Sequence, residues 1–62
     1  MKENDKVRLI APFDIYRHGT EGIVKAVVDF KNYKLYKVEL FNSKGKIIGL
    51  EEIPEMYLIE TI

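Results

Sequence analysis

Lys6-Val7-Arg8-Leu9-Ile10 alternates charged and apolar side chains, the period-two pattern of a strand with one buried face. Val7 and Leu9 are expected to face the core, and Ala11-Pro12 ends the strand because proline has no N–H to give a ladder. Residues Phe13 to Glu21 have no clean period and read as a loop, yet Phe13, Ile15 and Tyr16 make it too apolar for plain solvent. A loop folded back on the body of the domain accounts for that mixture. The β-branched run from Gly22 to Phe30 predicts a long strand. Its alternation slips at Lys25-Ala26-Val27, and a β-bulge there lets Val24 and Val27 both point inward. Lys31-Asn32-Tyr33 is a short polar connection. Leu35 to Phe41 is the clearest strand, with Tyr36, Val38 and Leu40 on one face and Lys37 and Glu39 on the other. Asn42-Ser43-Lys44-Gly45 predicts a tight turn, and Lys46 to Leu50 a further strand. Pro54 bars Glu51–Met56 from a central strand, so a short helical or 3₁₀ turn is expected there. Tyr57 to Glu60 forms the last strand.

These elements make a single all-β domain over residues 1–62. Five short strands with a long loop after the first and a 3₁₀ turn before the last match the order of an SH3-like barrel, and closing the sheet into a barrel would remove its exposed edges.

Length and composition restrict function more than fold. A chain of 62 residues buries a small core and offers little room for a deep cleft. No cysteine is present, so disulfides, thiolate nucleophiles and thiolate metal sites are excluded. Lys plus Arg and Asp plus Glu number 10 each, a balance that argues against a dedicated nucleic-acid binder. No apolar run approaches the roughly 20 residues that span a bilayer, and the charged start has no apolar segment after it. A cytoplasmic protein without a membrane partner is the expectation.

The spacing of particular residues adds a family resemblance. Asp5-Lys6-Val7-Arg8-Leu9, then Gly19 and Gly22-Ile23-Val24, then Tyr36-Lys37-Val38-Glu39-Leu40, then Ile53-Pro54 and Leu58 follow one pattern along nearly the whole chain. It resembles a family of small bacterial SH3-like domains of unknown function, whose pattern is D-x-V-x-L, G-x-x-G-x-V, Y-x-V-E-F and L-P-x-x-x-L. Ile53 stands where that pattern has Leu. The same layout occurs in a small accessory chain of photosystem I, the ferredoxin–thioredoxin reductase variable chain, KOW domains and Tudor-like domains. The resemblance implies a non-catalytic accessory chain or docking module. Toxin-like neighbours of some genes in that family imply an antitoxin or immunity role.

Candidate chemistry is sparse. His18 is the single histidine, with no second histidine at ligand spacing, so an exposed loop residue is expected and no metal or cofactor. Ser43 and Thr20 have only that histidine as a base, and Ser43 lies in a turn where hydroxyls bond backbone. Glu51, Glu52 and Glu55 read as a solvated acidic rim, and an enzyme is not expected. Gly19-x-x-Gly22 lacks the Lys-Ser/Thr of a phosphate loop and reads as a strand entry after a bend. Aromatic residues beside arginine are the composition of interface anchors, which points to Phe13, Tyr16, Arg17 and Tyr33 as contacts for another protein. Tyr16 and Arg17 are expected to be exposed; Phe13 and Ile15 either join them or plug one end of the barrel. The alternative is a nucleic-acid face made by Lys25, Lys31, Lys34, Lys37, Lys44 and Lys46 with Phe30 and Tyr33, set against the use of lysine to keep strands from aggregating. The partner's identity and the oligomeric state stay open.

Overall fold

The computed structural model describes residues 1–61. Its strands are β1 (Lys6–Leu9), β2 (Glu21–Asp29), β3 (Lys34–Phe41), β4 (Ile47–Pro54) and β5 (Leu58–Glu60), with one 3₁₀ turn, Glu55–Tyr57, before β5. They form a single antiparallel sheet in the order β4-β3-β2-β1-β5. No ladder joins β4 to β5 among the described residues, so hydrogen bonding does not close the sheet and the expected closed barrel is not seen. Val7, Leu9, Val24, Val38, Leu40 and Ile53 are nevertheless completely buried, with Tyr36 and Leu58 beside them. A sheet with no covering helix can shelter such a row only by curling over its own apolar face.

Each strand shows why its residues sit where they do. Val7 and Leu9 are buried while Lys6 and Arg8 are exposed, as the alternation requires. Gly22 lies directly opposite Leu40, and a Cβ there would come within 2.8 Å of the Glu39 carbonyl oxygen, so the strand entry needs a glycine. The bulge in β2 falls where expected: Val24 opposes Val38, Ala26 opposes Lys37, and Lys25 is the additional residue.

Val27 corrects one expectation. It lies across from the buried Tyr36, on the inner side, but is 37% exposed. The cause is cover: β1 pairs with β2 only over Glu21–Ile23, so the far half of the β2–β3 hairpin runs past the strand that shelters the core. Pro54 supplies a second correction. It does not end the strand at Leu50; it is the last residue of β4, which runs through Glu51 and Glu52. That is tolerated because β4 is an edge strand, where a missing N–H leaves no ladder bond unmade.

Among the described residues, no helix is long and apolar enough to cross a membrane.

Candidate interaction groove

The first long connection is more ordered than a solvent loop. Its stem extends the β1–β2 pairing, with Leu9 N–H donating to the Thr20 carbonyl at 2.9 Å and Gly19 N–H to the Leu9 carbonyl at 2.8 Å. Farther out, Phe13 and Tyr16 exchange both backbone hydrogen bonds, at 3.0 and 2.8 Å. Asp14 and Ile15 therefore form a tight turn, and Asp14 takes the left-handed φ of 53° that Asp tolerates better than most residues. Residues paired across such a bridge point the same way. Phe13 and Tyr16 both pack on the core, and Ile15 at the tip is thrown outward, 80% exposed.

Tyr16 overturns the expectation of an exposed anchor. It is 7% exposed and belongs to the core. Its ring lies over Gly49, where a Cβ would overlap the hydroxyl, and that hydroxyl donates to Glu51 Oε2 at 3.0 Å. The bond ties the loop after β1 to β4, which the sheet's hydrogen bonds leave apart. Burial pushes the Tyr16 hydroxyl above the ordinary tyrosine value of 10.0, and the neighbouring Glu51 carboxylate raises it further. Tyr36 is raised in the same way, by burial first and then by Glu55, whose Oε2 accepts its hydroxyl at 3.0 Å. Phe13 is half-buried, edge-on to Tyr57 with ring centroids 5.2 Å apart. Of the two open alternatives, Phe13 helps plug the interior and Ile15 does not.

With Tyr16 turned in, its neighbours turn out. Thr20 folds back on Arg17, its hydroxyl donating to the Arg17 carbonyl at 2.7 Å, and Arg17 and His18 are exposed. Between this turn and the β3–β4 connection lies a groove of about 560 Å³, lined by Ile15, Arg17, His18, Phe41, Ser43 and Ile48 among others. Ile48 is 43% exposed, so apolar groups stand on both banks, with Arg17 also lining the groove on the side of the first loop. Glu21 also lines the groove but leans to Arg8 at 3.7 Å, a solvent-exposed pair.

The four residues expected to anchor a partner do not come together. Tyr16 and Arg17 line the groove; Phe13 faces Tyr57 instead. Tyr33 is at the other end of β3, about 25 Å away at the rise of a strand. There it stacks on Phe30 at 4.8 Å and borders a smaller cleft of about 300 Å³ with Pro54 and Met56.

The lysines also separate. Lys31 and Lys34 lie at the β2–β3 turn, whereas Lys44 and Lys46 lie at the opposite end of the sheet, in the β3–β4 connection. Between them Lys25 pairs with Glu39 at 3.6 Å, and Lys37 lies across from Glu52. No continuous basic face results.

Sequence reasoning passed over Ile48 and Phe41, and it read Glu51 as part of a solvated acidic rim, whereas Glu51 is half-buried and accepts the Tyr16 hydroxyl. The signal for this contact was Gly49, a glycine inside an apolar strand, which marks close approach by another group. No protein-family model, curated protein or solved structure matches this chain, so the family resemblance stands on its motifs alone.

Proposed function

We propose that this domain is a non-catalytic protein-interaction module of SH3-like type, which takes a segment of another protein into the groove between its first loop and the β3–β4 connection. The observation that carries this is the division of labour within the loop. Tyr16 is committed to the core and to Glu51, which fixes the loop, while Ile15 and Arg17 are held outward beside Ile48. An apolar side chain with an arginine at a preformed concavity is the composition of an interface anchor. The complementary segment carries an apolar side chain next to a carboxylate.

The strand order and the 3₁₀ turn before β5 support the SH3-like assignment. The motif resemblance supports an accessory or antitoxin-type role. An oligonucleotide-binding role draws less support, because the lysines lie at two ends of the sheet with acidic residues between.

Capture from host lysate on the immobilised domain tests this. A partner retained by the wild type and by Tyr33→Ala, but lost with Ile15→Asp and Arg17→Glu at unchanged melting temperature, is the outcome expected. Capture indifferent to those two substitutions contradicts the assignment. So does retention of nucleic acid with affinity falling steeply as salt is raised, the signature of phosphate contacts.

A further inference from the structure

The two edges of the sheet are built differently. The β5 edge is Leu58–Glu60 only, and Glu60 there takes the N-terminal ammonium at 3.1 Å. The β4 edge is 8 residues long and, among the described residues, pairs with β3 alone. Ile47, Ile48 and Leu50 along it are 55%, 43% and 54% exposed. A long edge with bare backbone groups and apolar side chains is the kind that proteins ordinarily shorten, charge or cover.

We propose that a second copy of this chain covers it, β4 pairing antiparallel with β4 about a two-fold axis to make one continuous sheet across the dimer. Charge singles out this occupant. Lys44 and Lys46 precede Ile47, whereas Glu51 and Glu52 follow Leu50, and the segment between carries no charge. Antiparallel self-pairing sets the basic end of each strand against the acidic end of the other, on both sides of the axis. Centring the axis between Ile48 and Gly49 brings Lys46 across from the second copy's Glu51, with Glu52 beside it. It also brings Ile47 across from the second copy's Leu50. Ile47 and Leu50 both lie on the sheet's outer face, opposite Phe41 and Glu39 of β3, so they can meet across the new ladder. A parallel arrangement would set like charges together. The zero net charge places no general repulsion between copies.

Sedimentation of the whole chain from about 10 μM to 1 mM tests the pairing, a range suited to interfaces under roughly 1,200 Å². The weight-average mass is expected to rise toward twice the monomer. Ile47→Lys should hold it at the monomer with an unchanged melt. For charge reversal Glu51 is left in place, because Tyr16 donates to it. Lys46→Glu should weaken association about tenfold, since two-fold symmetry repeats each contact, and raised salt should weaken the wild-type dimer in the same direction. A monomer at 1 mM overturns the proposal and leaves the edge to a strand of another protein. A dimer untouched by Ile47→Lys, or one that Lys46→Glu fails to weaken, overturns it equally. None of these results depends on the groove, whose partner is lost or kept through Ile15 and Arg17.

Discussion

Tyr16 does at the residue scale what decides the character of the first loop. A phenol can bury its ring and still satisfy its hydroxyl, and Glu51 is in reach because Gly49 leaves the space between them empty. Tyr16→Phe keeps the ring and removes the donor, which should cost about 1–2 kcal/mol in urea denaturation. Gly49→Ala should release the loop, read as faster proteolysis between Phe13 and Thr20. The two raised hydroxyls also set a pH dependence. Tyr16 and Tyr36 hold their protons more tightly in the folded chain than in the unfolded one. Their contribution is complete below the unfolded value near 10 and is lost as pH rises through the higher folded values. Melting temperature should therefore fall as pH rises above about 10, and less steeply in Tyr16→Phe than in the wild type. An equal fall in both would place the linkage elsewhere.

Among the elements, burial follows cover more closely than it follows side-chain type. Leu40 opposes Gly22 and lies wholly within the core, whereas Val27 faces the same side beyond the reach of β1. Leu40→Ala should cost about 2–5 kcal/mol and Val27→Ala less than about 1 kcal/mol in equilibrium unfolding. Amide exchange should divide the same way, slow at Val24 and Val38 and faster from Val27 through Leu35. The strands, the bulge at Lys25 and the 3₁₀ turn were legible because period and proline act locally. The length of β1 relative to β2 was not, since nothing in Val27 itself records where a neighbouring strand stops. Nor was the status of Pro54, whose effect depends on β4 being an edge. The candidate groove was half legible: Arg17 is exposed as read and lines it, while Tyr16 points the other way because it is paired with Phe13 across a turn whose central residues are Asp14 and Ile15.

At the scale of the molecule, an open, curled sheet with a short core uses its first loop to hold its two edges in relation, and the same loop lines a groove of about 560 Å³. In this segment Phe13 and Tyr16 turn inward and hold the fold while Ile15 and Arg17 turn outward, so the proposed recognition falls on residues other than those that carry stability. The most direct measurement is amide chemical-shift mapping of the labelled domain, titrated with the partner recovered by capture. The shifts expected cluster at Ile15–Thr20, Phe41–Ser43 and Ile48, with Tyr36 and Val38 unmoved. Shifts centred instead on Phe30–Lys34 and Met56, with the first loop silent, would contradict the account.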